Sequence, residues 1–476
     1  MLKAAAAAVA GAAGAAVLPA CSQAGEATSS SVASSASSNA SSSASSSASR
    51  TKVYTETDFK VFDELSLKTF RLSTTGKNVV MIMLDRALNW IVPYLFHEKP
   101  ELKEQFAGFT YYRNTTSFGV FTNVGTPPLY GGYDYTPRKM NARSSELLVN
   151  KHNEALRVMP VLFNNHGFKV TVCDPVYAGY CWVSDCNIFD AYPNIKALNT
   201  LEETTESLNV QTIASDGVRA EGLRPAFMNS YLALRDLRHM TEITTDNVNT
   251  FLSMSNSTTH DVALLSEPDY VPAQSVDNSD YEQTCDYERT DGDAGVFKID
   301  CADSSAHYQC NMAALLALGE WFDYLRARGA YDNTRIIVVS DHGASFDQRT
   351  ALKLEDGVDS RARMLDVEFP QALLLVKDFG ATEFSVSDEF MTNADVPALE
   401  CAGLIDSPTN PFTGSAIDMS GKADGVDVYA SQDYDVSKNN GTTFMRGGVW
   451  LHVRDDVHDK ANWTILDDER AERDWS

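Results

Sequence analysis

The chain has 476 residues, 43% of them hydrophobic, which is enough for the core of one large α/β enzyme or of two to three domains. Its formal charge is −26, from 39 Lys and Arg against 65 Asp and Glu. So large an acidic excess excludes nucleic acid as a partner, because a phosphate backbone needs clustered cations; it fits solubility or the recruitment of divalent cations.

Residues 1–21, "MLKAAAAAVAGAAGAAVLPAC", carry one base, then an Ala-rich apolar run, then small residues before Cys21. That order predicts a secretory signal. The ending "VLPAC" is similar to a bacterial lipobox, with Pro19 as a departure from it, so acylation of Cys21 is the expectation. Residues 22–51 are Ser- and Ala-rich, cannot bury a core, and predict a flexible tether. Together these segments predict an extracytoplasmic protein held at the membrane surface by its N-terminus. A catalytic domain over 52–420 and an acidic, polar extension over 421–476 follow. Eight cysteines suit an oxidising compartment, and their spacings form no paired CxxC motif, which argues against a structural zinc site. Cys285 with Cys301 or Cys310 is the expected disulfide, closing an acidic insertion at 277–300.

Five apolar runs read as strands: "NVVMIML" from 78, "FKVTVC" from 168, "HDVALL" from 260, "RIIVVS" from 335 and "QALLLV" from 371. "ALRVMPVLFNNHG" from 155 and "AALLALGEWFDYLRARG" from 313 have helical spacing and close on Gly167 and Gly329. Wholly apolar strands alternating with helices predict a mostly parallel sheet covered by helices on both faces. Ligands of such sheets sit at the carboxyl ends of the strands. Asp85 follows "VVMIML" directly, and Asp341 and His342 follow "RIIVVS". One acid in such a place can be a helix cap; two, one beside an imidazole, point to a metal.

"SDHG" after an apolar strand resembles the metal motif of the alkaline phosphatase superfamily, which includes sulfatases, phosphonate hydrolases and lipoteichoic acid synthases. The resemblance spans about residues 76 to 406 and implies that fold, with a small β-containing C-terminal subregion. It also implies a first acid, a nucleophile some forty residues on, and a late Asp-His pair: here Asp85, a threonine, Asp341 and His342. Within "SFGVFTNVGTPPLYGGYDYTP", residues 117–137, two threonines compete. Thr122 stands ten residues before Gly132, a distance similar to that in the sulfatase CxPSR element. Thr126 precedes Pro127 and Pro128, which suits an N-cap, whereas a helix begun at Thr122 carries those prolines in its body. Yet a helix begun at Thr126 meets Gly131 and Gly132 after barely one turn, so Thr122 is preferred, with Thr126 as the alternative. Either hydroxyl would stand at a helix N-terminus, where free amides hold phosphate.

The implied metal ligands are Asp85, Thr122, Asp341 and His342, a mostly hard set for one divalent ion: Mn²⁺ first, with Mg²⁺ or Zn²⁺ as alternatives. "SMSNSTTHDVALL" resembles the His-bearing segment of lipoteichoic acid synthases, which implies that His260 protonates a leaving alkoxide or holds phosphate. His307 is assigned no role. "TVCDPVYAGYCWVSDC" resembles the segment with which those enzymes hold glycerol phosphate, implying Asp174 and Trp182 as substrate contacts. Ser184 stands where an Arg is expected, and Arg86 is the candidate to compensate. More finely, "KPELKEQFAGFTYYRNTTSFG", "LYGGYDYTPRKMNAR", "KHNEALRVMP" and "NPFTGSAI" resemble glycerol phosphate transferases that decorate streptococcal surface polysaccharides. The resemblance implies transfer of glycerol phosphate from a phosphatidylglycerol-type lipid to a cell-surface polysaccharide through a phospho-threonine. The alternative is a sulfatase-like hydrolase of the same fold, a phosphodiesterase or a sulfuric ester hydrolase.

Overall fold

The structure, a computed structural model, describes residues 70–181, 184–200, 211–214, 219–221, 225–273, 275–284, 302–345, 352–355, 364–431, 441–444 and 446–470. The signal, anchor and tether read from residues 1–51 lie outside these, as do Trp182, Cys285 and Cys301. Among the described residues no helix is long and apolar enough to cross a membrane.

"NVVMIML" forms β1 (Asn78–Leu84), buried at every position. Successive side chains of a strand point to opposite faces, so an all-apolar strand needs cover on both. Val80, Ile82 and Leu84 join a core with Leu318, Trp321 and Phe322 of a long helix, Ala302–Ala327. Met81 and Met83 join the opposite core with Leu129 and Leu156. Those two leucines belong to α1 (Thr122–Gly131) and α2 (Leu148–Asn165); the long helix is α3.

The sheet around β1 has eight strands. The others are β2 (Phe109–Tyr112), β3 (Lys169–Cys173), β4 (Ile195–Leu198), β5 (Thr250–Asn256), β6 (Thr334–Val339), β7 (Leu374–Lys377) and β8 (Ser385–Ser387). They lie side by side in the order β8-β2-β7-β6-β1-β5-β3-β4. β6, β1, β5, β3 and β4 are parallel neighbours, and β7 runs against both of its own neighbours. The expected mostly parallel sheet with helices on both faces is therefore present. The C-terminal β subregion is a three-stranded antiparallel sheet of β9 (Val426–Ala430), β10 (Val449–Val453) and β11 (Trp463–Asp468). Its core includes Val428, Leu451 and Val453 with Phe118 and Val120, and the Tyr429 amide donates to the Phe118 carbonyl at 2.9 Å. This small sheet thus supports the loop that leads into α1.

Two expectations need correction. "HDVALL" is not a strand; the strand is Thr250–Asn256, ten residues earlier, and 260–265 is a loop. Its backbone is satisfied by α3 instead of by strand partners: the Leu265 amide donates to Gln309 Oε1 at 2.8 Å and the Ala263 amide meets Cys310 Sγ at 3.2 Å. Cys310 is accordingly a free, buried thiol and forms no disulfide with Cys285.

Candidate functional site

β1 and β6 run parallel with Met83 opposite Val339, so both end at the same edge of the sheet. Asp85 and Asp341 leave these ends side by side. The Asp85 amide donates to the Asn256 carbonyl at 2.9 Å, and its own carbonyl accepts from Thr259 Oγ1 at 2.6 Å. Arg86 turns the chain through a left-handed backbone (φ 61°), which aims its amide at Asp341 Oδ1, 3.0 Å away. His342 Nδ1 lies 2.7 Å from the Gly343 carbonyl. A carbonyl only accepts, so Nδ1 carries the proton and the lone pair of Nε2 faces the carboxylates. Ligand atoms of Asp85, Asp341 and His342 all lie within 4.8 Å of one another, and all three residues are buried.

Thr122 completes the cluster. Phe121 is extended (φ −140°, ψ 153°), and α1 begins at Thr122 itself. Thr122 Oγ1 stands 3.4 Å from Asp85 Oδ1 and 3.5 Å from His342 Nε2. Thr126 lies one turn inside the helix, fully buried, and its hydroxyl has no hydrogen-bond partner. The helix does carry Pro127 and Pro128 in its body. What holds it there is tertiary. A Cβ on Gly125 would stand 2.4 Å from the Asp341 carbonyl oxygen, so only glycine lets the helix back onto that strand end. Asn393 then clamps the two together: its Nδ2 donates to Ser117 Oγ (3.1 Å), the Gly125 carbonyl (2.9 Å) and the Asp341 carbonyl (3.2 Å). The sequence reading missed Asn393. The only signal was the pattern Thr392-x-x-Asp395, a capping box that marks a helical turn and not the clamp inside it.

The electrostatics fit a cation site. Burial pushes the Asp85 carboxyl up to about 7, and the negative charge of Asp341 adds to the effect. His260 follows the end of β5; the charge of Asp85 raises its imidazole to about 9, against the opposing effect of burial. Burial holds His342 below the ordinary imidazole range, consistent with a neutral ligand nitrogen. His307, on α3, is depressed further by burial and by the positive charges of Arg86 and His260. One turn on, Asn311 Oδ1 accepts from the Leu88 amide at 3.0 Å, tying α3 to the Arg86 turn. His307 thus shares the site's field, which the sequence did not reveal. Asp341 Oδ2 is buried without a hydrogen-bond partner. Two carboxylates, one imidazole nitrogen and a hydroxyl are the donor set of a single divalent cation, and such an ion would satisfy that orphaned oxygen.

Asp174 is engaged elsewhere. It directly follows β3, two strands from β1, and its carboxylate accepts from the Thr200 amide at 2.8 Å and from the Thr200 hydroxyl. Burial pushes it up to about 6. The structure therefore gathers Asp85, Thr122, Asp341 and His342, places Arg86 and His260 in the field of Asp85, and uses Asp174 to tie down the loop after β4.

No family model and no curated protein sequence matches this chain. Solved structures do. The chain is similar to lipoteichoic acid synthase from Listeria monocytogenes, at 11% identity and a TM-score of 0.43, over 83% of this chain and 86% of that one. It is similar to phosphonate monoester hydrolase of Agrobacterium radiobacter, at 13% identity and 0.47, over 83% and 90%. A protein in the alkaline phosphatase superfamily from Vibrio parahaemolyticus matches at 14% and 0.42, over 84% and 85%. Each is a likeness of fold; the chemistry rests on the side chains described above.

Proposed function

We propose that this chain is a metal-dependent phosphoglycerol transferase, moving glycerol phosphate from a phosphatidylglycerol-type lipid to a cell-envelope glycan. The observation that carries it is the Thr122 hydroxyl at the start of α1, 3.4 Å from Asp85 and 3.5 Å from His342. Asp85, Asp341, His342 and Thr122 would hold the ion, which when bound lowers the pKa of the hydroxyl and draws charge from a phosphoryl oxygen. In the first step the Thr122 hydroxyl releases its proton to solvent and Oγ1 attacks the lipid's phosphorus, the bond from phosphorus to the diacylglycerol oxygen breaks, and that oxygen takes a proton. His260, which follows the end of β5 beside Asp85 and Asp261, is the proton donor in this reading. In the second step the imidazole of His260 takes the proton of a sugar hydroxyl as that oxygen attacks the same phosphorus, the bond to Thr122 breaks, and the Thr122 oxygen regains a proton from solvent. Lipid donor and glycan acceptor are supported by the sequence segments quoted above, and the N-terminal anchor read from residues 1–21 would hold the chain near its donor.

Intact-mass spectrometry of the purified protein with Mn²⁺ and phosphatidylglycerol tests this. A glycerophosphate adduct on Thr122 is the expected result, and Asp341→Ala should abolish it with the fold retained. An adduct on Thr126, or release of sulfate from sulfated sugars without any adduct, refutes the assignment. Adduct turnover to free glycerol phosphate, with no glycan accepting it, makes the same site a phosphodiesterase.

A further inference from the structure

We propose that Asp261 is the positioning residue of His260, holding the imidazole by Nδ1 so that Nε2 is presented to the leaving group of the ester. The inference deepens the proposed function and rests on its assignment of His260 as proton donor. The loop that carries both residues leaves the end of β5 and is fixed almost residue by residue. Asn256 Nδ2 donates to the Ser230 carbonyl at 2.8 Å, and Asn256 Oδ1 accepts from the Thr258 amide at 3.0 Å. The Thr259 hydroxyl donates to the Asp85 carbonyl at 2.6 Å. The His260 and Asp261 amides both donate to the Ser257 carbonyl, each at 3.1 Å. Just beyond, the Ala263 amide and carbonyl both meet Cys310 Sγ of α3 at 3.2 Å. The backbone under His260 is thus tied to the Asp85 strand end on one side and to α3 on the other.

The two side chains are less confined. The imidazole is 38% exposed and the Asp261 carboxylate 30%, whereas Asp85, Asp341 and His342 are buried. A ring that opens toward solvent can turn about χ1 and χ2, and a proton donor must hold one direction. Asp261 Oδ1 supplies the hold, at ion-pair distance, 3.7 Å from Nδ1. Nδ1 is the ring nitrogen that faces the carboxylate, so Nε2 is the one left for a substrate. A carboxylate on one ring nitrogen fixes which nitrogen carries the resident proton and aims the other. Asp85 is committed to the ion in the proposed site, which leaves this task to Asp261. In the proposed first step the proton leaves Nε2 for the diacylglycerol oxygen as that oxygen's bond to phosphorus breaks, and the Nδ1 proton stays directed at Asp261.

The test compares two esters of glycerol phosphate that differ in the alcohol they lose. Phosphatidylglycerol loses an alkoxide that must be protonated; glycerol p-nitrophenyl phosphate loses p-nitrophenolate, a stable anion that needs no acid. Release of each alcohol is timed for the full chain loaded with Mn²⁺ and for Asp261→Asn, Asp261→Glu, His260→Gln and the double variant, beside Thr122 adduct mass, Mn²⁺ affinity and thermal midpoint. A general acid contributes about 100- to 10,000-fold, so losing the group that aims it should cost at least about 10-fold. We expect that loss in diacylglycerol release for Asp261→Asn, a much smaller one in p-nitrophenolate release, and partial recovery in Asp261→Glu, with Mn²⁺ affinity and midpoint unchanged. Added to His260→Gln, Asp261→Asn should cost less than a further threefold, because the two residues act as one unit. Diacylglycerol release within threefold of the parent in Asp261→Asn would overturn the proposal. So would equal losses with both esters, a loss that persists in full beside His260→Gln, or a parent that releases no diacylglycerol. The expected pattern without a Thr122 adduct would uphold this inference while defeating the transferase reading.

Discussion

Gly125→Ala is the substitution that tests how the site is assembled. The new Cβ would lie 2.4 Å from the Asp341 carbonyl oxygen, where ordinary contact begins at 3.4 Å, a shortfall of 3.4 − 2.4 = 1.0 Å. The obstructing atom is backbone, so no rotamer change relieves it. Either α1 or the Asp341 strand end must move by about that amount. Thr122 sits at the start of that helix and Asp341 is a candidate ligand, so either movement separates hydroxyl from carboxylates. A misplacement of about 1 Å costs on the order of 100-fold in rate, while overpacking of this size costs about 1–3 kcal/mol of stability. The assay is phosphodiester turnover at saturating Mn²⁺ beside a urea titration. Gly167→Ala is the control: its backbone is left-handed (φ +80°), so alanine is strained there, but nothing lies within 4 Å of the new Cβ. It should lose stability and keep its rate. Turnover of Gly125→Ala within threefold of the parent, or an equal loss in Gly167→Ala, would refute the reasoning.

Three further outcomes follow from the same geometry. Thr122→Val should abolish the covalent adduct, whereas Thr126→Val, which removes a buried hydroxyl with no partner, should keep it and be neutral or slightly stabilising; mass spectrometry and thermal unfolding check the pair. Asn393→Ala strands the Gly125 and Asp341 carbonyls and should cost about 1–3 kcal/mol, with weaker Mn²⁺ binding by calorimetry. His152 is wholly buried, bonded through Nε2 to the Val176 carbonyl, and burial holds its imidazole down at about 4. Below pH 6.5 the unfolded chain takes up a proton that the folded chain refuses, so this stability is present above 6.5 and lost as pH falls toward 4, about 3 kcal/mol in all. His152→Asn should remove that component from urea titrations run at pH 7 and pH 4.5.

The cluster of Asp85, Asp341 and His342 was legible because two wholly apolar strands each run straight into polar residues, and parallel neighbours must deliver their ends to one edge. β5 was misplaced because Ser253 and Ser255 interrupt its apolar run; both are buried, and the Ser255 hydroxyl meets the Tyr130 hydroxyl at 2.7 Å. The apolar "HDVALL" next to it looked more strand-like, yet its burial comes from packing under α3. At the threonines, local proline chemistry favoured Thr126. The helix starts at Thr122 because Gly125 and Asn393 fix it to a segment more than two hundred residues away, and no local rule reports that. Asn393 and His307 carry no motif, since their roles exist only after the chain has folded.

Asp85 and Asp341 hang from adjacent strands, and adjacent strands lie about 4.8 Å apart whatever the loops around them do. The sheet therefore acts as a ruler for any ion held there: Asp85 and Asp341 leave it one rung apart, a spacing set by the backbone hydrogen bonds between β1 and β6. Thr122 and His260 come from a helix and a loop, and both are referenced to the same strand ends, the helix through Gly125 and Asn393 and the loop through the Thr259 hydroxyl on the Asp85 carbonyl. In the proposed reaction, a shift of either strand end would therefore carry hydroxyl, imidazole and carboxylates together and leave their mutual distances in place.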